Sequence, residues 1–445
     1  MRKDRKKEKN MSENMIKELF TFIEKSPTAF HAVDTMKEIL EAEGYEPVLE
    51  RQDWDLQVGG KYYVMRNGTS LIAFRVPTEK FSGFQMMASH SDSPTFRIKE
   101  NPEMNVGNAY VKLNVEGYGG MICSSWLDRP LSVAGRLIVK TKEGIKSCLV
   151  NVDRDLLMIP SLAIHINRKV NEEQKFNVQK DLLPLYGMGE AKESFLKVVA
   201  AEAGVEAKDI LGHDLFLYSR VPGTIWGANK EFISSSRLDD LQCVFGSLKG
   251  FLAAEDKKHV PVHCVFDNEE VGSSTKQGAA STFLADTLLR ICEAFGKTSA
   301  GYRQAIANSF MVSADNAHAV HPNYEEKACP TNRPVLNGGV VIKYSANQKY
   351  TTDGVTAALF KTICERAEIP YQVFLNRSDM PGGSTLGNIS ANQVAVRSVD
   401  IGMPQLAMHS AYETAGAKDT EYLVKVAKTF FESTIKELPG DVYRI

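Results

Sequence analysis

Five places in the chain put His, Asp or Glu where a strand would end or a helix begin. The first is His90-Ser91-Asp92. In an extended H-x-D, residues i and i+2 share a side, so Asp92 can hold the second imidazole nitrogen of His90 and fix its tautomer. The second is SSSRLDDLQ, where Asp239 and Asp240 open an expected helix whose dipole favours a carboxylate able to bridge two cations. In the third, VFDNEEVGSS, adjacent Glu269 and Glu270 should point different ways, one to a metal and one to protons. Gly272 there would allow close backbone approach. The fourth, MVSADNAHAVHPN, offers Asp315, His318 and His321. The fifth, QLAMHSAYE, offers His409, with Glu413 one turn later if a helix starts there.

Each has a plainer reading alone: a satisfied polar strand end, a helix cap, a solvated acid pair. The order H-x-D, Asp, Glu-Glu, Asp, His, each at an expected sheet edge, points instead to one site. Asp239, Glu270 and Asp315 carry three negative charges against four positive on two divalent ions, and one bridging hydroxide would balance the set. Imidazole and carboxylate donors suit zinc, with manganese or cobalt as substitutes. Such a pair generates a hydroxide nucleophile near neutral pH and polarises a carbonyl. Glu269, beside a ligand without being needed as one, is the natural general base and acid.

The elements that must position these residues follow from periodicity. A helix is expected from a cap near Ser12 through Ile16, Leu19, Phe20 and Ile23, and a second through Val33, Met36, Ile39 and Leu40 to Gly44. Strands follow at 62–65, 70–76 and 84–88, the last running into SHSDSP. From Pro94 to about Trp226 short β-rich stretches dominate, with one helical piece over 191–203. Beyond Ser234 helices (238–252, 282–295, 354–367) alternate with apolar strands (260–266, 310–312). That alternation predicts an α/β layered domain with a largely parallel central sheet, interrupted by a β-rich insertion. The expected organisation is a basic, disordered tail over 1–11, a catalytic domain over 12–93 and 234–445, and the insertion over 94–233. The 149 positions between His90 and Asp239 hold the insertion.

Composition narrows the class. The 445 residues are 43% hydrophobic and 24% charged, and roughly 150 residues per domain suggests two or three domains. No apolar run approaches the ~18 residues of a membrane span, and no signal-peptide core follows the basic start, so neither a membrane protein nor a secreted one is predicted. Residues 2–9 hold six of the 53 basic and two of the 55 acidic side chains. The body is therefore mildly acidic and poorly suited to nucleic acid. Seven scattered cysteines with no CxxC argue against disulfides and thiolate zinc and fit a reducing cytoplasm.

The chain closely resembles the M18 metallopeptidases, the aspartyl aminopeptidase family. The matching texts run from SPTAFHAV through SHSDSP, SSWLDRPLSVAGRL, SLAIHINR, SSSRLDDLQ, DNEEVGSS, SADNAHAVHPNY, GGVVIKY and DMPGGSTLG to AMHSAYE. The resemblance implies a di-zinc aminopeptidase acting on peptides with a free N-terminus, whose inserted domain assembles a tetrahedral homododecamer. It implies His90, bridging Asp239, Glu270, Asp315 and His409 as ligands, Glu269 as base and Asp92 as orienter of His90. His321 and Tyr350 would hold the substrate carbonyl or tetrahedral intermediate, and Lys343 would face an acidic Asp or Glu side chain at the substrate N-terminus. His165 would reach a neighbouring subunit's active site, and Asp379 would line the site. Ala29 replaces a proline common in relatives, which touches a turn and not the chemistry. Neutral, leucine-like specificity is the alternative within the family. An M20-type deacylase or carboxypeptidase would carry its insertion later, and a metal-dead scaffold shell would show a broken ligand set.

Overall fold

The computed structural model describes residues 2–255 and 257–445, with side chains from residue 12 onward. A nine-stranded sheet forms the centre. Its order is Glu46–Pro47, Lys61–Arg66, Ser70–Arg75, Val260–Phe266, Phe84–His90, Phe310–Ala314, Arg397–Gly402, Val340–Lys343, Tyr371–Phe374. The four strands in the middle, from Val260–Phe266 to Arg397–Gly402, are all parallel, and antiparallel pairs lie only towards the sides. Parallel strands covered on both faces need apolar residues at successive positions. The runs at 84–90 and 260–266 supply them, and every residue in both is buried.

Alternation then sorts side chains between two layers. Phe84, Met86 and Ala88 join one core with the helix Phe283–Ala294. Met87 faces the other, with the helices Ala29–Ala42, Leu238–Ala253, Gly354–Arg366 and Asp419–Phe431. Helix Leu238–Ala253 meets Asp419–Phe431 through Gly246 and Gly250, where an added Cβ would stand 2.5 Å from Leu423 and Ala427. The first helix is Arg2–Lys25, so it begins well before the cap expected at Ser12. The basic run contains no Gly or Pro, and Lys, Arg and Glu are good helix formers. Among the described residues no helix is long and apolar enough to cross a membrane.

A second, six-stranded sheet is built entirely from residues 95–219 and is antiparallel throughout. Its core holds Phe96 edge-on to Trp126 at 5.2 Å. The expected helix here shortens to Phe195–Glu202, because Glu193 takes a left-handed backbone (φ 59°) that ends the helical path upstream. A third sheet joins Thr224–Trp226 and Phe232–Ser235 to Glu413–Gly416, Pro404–Leu406 and Ala317–His318. A boundary at 233 thus falls inside a strand paired with the C-terminal part of the chain, while the insertion's own sheet ends at Ser219.

Candidate metal centre

The carboxyl ends of three neighbouring parallel strands meet at one place. His90 closes Phe84–His90, Asp267 to Glu270 follow Val260–Phe266, and Asp315 follows Phe310–Ala314. This is where open α/β sheets gather ligands. Asp239 comes from the start of helix Leu238–Ala253, and His409 from the loop before Glu413–Gly416.

Ligand-capable atoms of His90, Asp239 and Glu270 lie within 4.8 Å of one another, and so do those of His90, Glu269 and Asp315. Asp239 stands between the two imidazoles. Its Oδ1 is 3.4 Å from His90 Nε2, and its Oδ2 is 3.5 Å from His409 Nε2, which is also 3.3 Å from Glu270 Oε2. Two donors each ~2.05 Å from a tetrahedral zinc ion stand roughly 3.3 Å apart, so these separations suit shared ions. Asp239 Oδ1 and Glu270 Oε1 are buried with no hydrogen-bond partner among the described residues. Orphaned carboxylate oxygens beside imidazole nitrogens fit a cation.

The tautomers agree. His409 Nδ1 donates to the Gly120 carbonyl at 2.6 Å, and His90 Nδ1 donates to the Asp92 carbonyl at 3.1 Å. A carbonyl only accepts, so Nδ1 carries a hydrogen in each ring, and Nε2, which faces the carboxylates, is the nitrogen each ring would offer to a metal once deprotonated. Asp92 faces the His90 ring, with Oδ1 3.5 Å from Nδ1, and its side chain does a second job as well. The carboxylate also accepts the N–H groups of Glu269 (3.1 Å) and Glu270 (3.2 Å) and the Tyr118 hydroxyl (2.7 Å). It fastens the Glu269–Val271 turn, so the two glutamates diverge towards different partners.

Local backbone departs from the sequence expectation at three points. Asp239 and Asp240 have non-helical dihedrals, so Asp239 does not sit in a helical first turn. Gly272 is left-handed (φ 95°) with open space where a Cβ would be, so the turn and not close approach requires glycine. No helix starts at His409. Its backbone is left-handed (φ 66°), and Glu413 opens a strand. Even so, Glu413 is part of the site: it is 1% exposed, and it accepts the N–H of His409 at 2.7 Å and of Asp239 at 2.9 Å. Asp240 likewise accepts the His90 N–H at 3.1 Å. Sequence reasoning had Glu413 only as a helical neighbour of His409, and its one signal was that spacing.

Crowded acids set the electrostatics. Burial pushes Glu269 up to about 8, with Asp315, Asp92 and Asp239 adding to the rise and His90 opposing it. Burial also raises Glu270 and Asp240. Asp239 goes the other way: burial opposes ionisation, but His409 and His90 hold its carboxyl below the usual range. Burial disfavours charge on His409, yet Asp239 and Glu270 lift it to about 10.

The remaining expected residues are more dispersed. Lys343 is 2% exposed, with Nζ 3.3 Å from Asp315 Oδ1 and donating to the Asn316 carbonyl at 2.9 Å. It lies 5.5 Å from the centroid of buried Tyr350. His321 lines a cavity of about 290 Å³ with His318, Tyr324 and Arg377. Asp379 is exposed and pairs with Arg377 at 2.7 Å. His165 is exposed on the insertion, between Ile164 and Ile166. No hydrogen bond or ion pair ties it to the cluster among the described residues.

Known proteins share this arrangement of chain. Residues 22–431 match the family described as aminopeptidase I zinc metalloprotease (M18). A probable M18 family aminopeptidase 2 from Clostridium novyi is 47% identical over 422 residues, covering 93% of this chain and 98% of that protein. One from Pseudomonas aeruginosa is 42% identical over 431 residues, covering 95% and 98%. Among solved structures, a chain of the Ape4 and Nbr1 complex superposes with a TM-score of 0.92 at 36% identity, covering 95% of this chain and 86% of that one. The S. cerevesiae mApe1 dodecamer gives 0.84 at 30% identity, covering 95% and 97%. An α/β fold with a histidine–carboxylate cluster at its strand ends, and these matches over nearly the whole chain, identify a metallo-aminopeptidase of the M18 zinc metalloprotease family.

Proposed function

We propose that the chain is a two-metal aminopeptidase that removes the N-terminal residue of peptides, with a preference for Asp or Glu. The observation that carries this reading is Asp239, whose two oxygens face two different imidazoles at 3.4 and 3.5 Å. His90 and Asp315 would share one ion with Asp239, and His409 and Glu270 the other. Bound there, a pair of divalent ions, zinc in the first instance, supplies Lewis acidity towards a carbonyl and makes attack by water feasible near neutral pH.

The chain's own residues handle protons and position. Glu269 takes a proton from the attacking water on a carboxylate oxygen and returns it to the leaving amine nitrogen. A buried carboxyl held near neutrality suits that exchange. Asp92 and Glu413 keep the ligand-bearing backbone in place through its N–H groups, and His321 and Tyr350 hold the carbonyl of the bound peptide. Asp379 would line the site.

Lys343 supports the acidic preference as a buried cation beside Asp315. The same contact favours a second reading, neutral specificity, because its ammonium is already engaged by Asp315 and Asn316. X-Ala dipeptides with X as Asp, Glu, Leu, Lys or Ala separate the two on metal-reconstituted protein. The expected result is fastest cleavage of Asp-Ala and Glu-Ala, with Lys343→Leu losing about tenfold more kcat/KM on these than on Leu-Ala. An equal loss on all would show that Lys343 serves Asp315 and does not read charge.

A homo-oligomer, in full a tetrahedral dodecamer, is the proposed assembly, supported by the mApe1 dodecamer among the solved relatives. In it His165 would reach a neighbouring subunit's site. Seven free cysteines support a reducing, cytoplasmic setting.

A further inference from the structure

The stretch DMPGGSTLG is only half explained by Asp379, which is exposed and paired with Arg377. Its other end is buried. Thr385 is 3% exposed, and its hydroxyl donates to Asp400 Oδ1 at 2.6 Å. Gly387 packs against the same carboxylate, where an added Cβ would stand 2.6 Å from Oδ1 and 2.8 Å from Oδ2. Glycine is needed there for close approach.

Asp400 is fully buried in the strand Arg397–Gly402, beside the strand that leads to Asp315. A second segment reaches its carboxylate. Thr351 donates its N–H to Oδ2 at 2.6 Å and its hydroxyl to the same oxygen at 2.7 Å. The Asp400 N–H in turn donates to Thr352 Oγ1 at 2.9 Å. Three donors, none of them charged, thus meet one buried carboxylate and offset the cost of burying it.

The two segments follow the neighbouring parallel strands Val340–Lys343 and Tyr371–Phe374. The first carries Tyr350, directly before Thr351. The second carries Asn376, whose side chain hydrogen-bonds with Tyr350. Gly382 leaves room for that amide, since an added Cβ would collide with Asn376 Nδ2. Tyr350 is therefore held from both segments, and Asp400 ties the two together.

We propose that Asp400 is a positioning residue for peptide cleavage: its carboxylate clamps segments 344–353 and 375–385 and so aims the Tyr350 hydroxyl at the substrate carbonyl. The proposal rests on the aminopeptidase reading above and adds to it a residue that touches neither metal nor substrate. Losing one donor to a developing oxyanion costs about 10²–10³ in kcat, so mis-aiming that donor should cost less.

The test uses the metal-loaded, full-length protein with Asp-Ala and Leu-Ala as substrates. Asp400→Ala should lower kcat by about tenfold to a hundredfold, with KM changed less and zinc per chain unchanged. Asp400→Asn should recover most of the loss, because its oxygen still accepts from Thr351 and its amide can donate to the Thr385 hydroxyl. Combined with Tyr350→Phe, Asp400→Ala should add little to the loss from Tyr350→Phe alone, since both act through one hydroxyl. Multiplying losses in that double variant, an Asn variant as poor as the Ala variant, or zinc lost from a folded Asp400→Ala would each overturn the proposal. Should Asp400→Ala fail to fold, the same cycle run with Thr385→Val decides. Peptide cleavage that the Asp400 variants leave unchanged overturns the clamp alone, whereas no cleavage by the unaltered, loaded protein overturns the aminopeptidase reading and the clamp with it.

Discussion

Glu413 joins the two halves of the cluster by accepting the N–H groups of Asp239 and His409, residues 170 positions apart. Removing it leaves two buried donors unsatisfied and frees the left-handed His409 backbone. Bracing residues behind metal ligands commonly carry 10–100-fold in affinity. Glu413→Ala should therefore bind zinc about 10–100-fold more weakly in a competing-chelator titration, with Glu413→Gln in between. Unchanged zinc affinity in a folded Glu413→Ala would show that the ligands hold their own geometry. At this scale the sequence was legible where chemistry is local: His90, Asp239, Glu269, Glu270, Asp315 and His409 stand out by type and position. It was not legible where a side chain acts through distant backbone. The spacing of Asp92 suggests a partner for the His90 ring two positions away, but nothing local shows that it also holds the Glu269 and Glu270 N–H groups 177 and 178 positions away.

The strand Val260–Phe266 shows what an element adds. Its continuous apolar run was readable from VPVHCVF, and every residue of the strand is buried, between an antiparallel neighbour, Ser70–Arg75, and a parallel one, Phe84–His90. His263 is the polar exception in this run. It is fully buried, hydrogen-bonded with Ser247 Oγ at 2.9 Å and stacked on Phe251, and burial lowers its pKa to about 3. Nearby His259 is lowered to about 4 by burial and Lys436. An unfolded histidine titrates near 6.5, so between that pH and the folded value the unfolded chain binds more protons. The stabilisation is complete above pH ~6.5 and is lost as pH falls, on the order of 2 kcal/mol per residue by pH 5. His263→Gln should be less stable at pH 7 but lose less on going to pH 5, read as urea midpoints. A loss matching the unaltered protein would contradict the buried, neutral assignment. The insertion's part in the metal centre was beyond sequence reasoning. Gly120 and Ile122 clasp His409, with the Gly120 contact spanning 289 positions, and no local pattern encodes such a meeting.

For the whole molecule, the alternation of helices and strands after Ser234 was enough to place an interrupted α/β domain, because each amphipathic element must bury one face on a common sheet. The insertion's limits were less legible. The hairpin Thr224–Ser235 has ordinary strand composition, and only its pairing with Glu413–Gly416 assigns it to the other side. The insertion also exposes Leu162, Ile164 and Ile166 around His165, with Ile166 71% exposed. Adjacent exposed aliphatic residues on one loop suit burial against another copy. Ile166→Asp should shift sedimentation towards smaller species and lower activity with it, whereas an unchanged assembly would show that this loop does not join subunits. The two-metal reading meets its most direct test in zinc titration of metal-free protein, followed by metal content and turnover together. Activity should rise to a plateau at about two zinc ions per chain, and Glu269→Gln should take up the same metal while kcat stays about 10²–10⁴-fold lower. Full activity at one ion or none, or near-normal turnover by fully loaded Glu269→Gln, would contradict it.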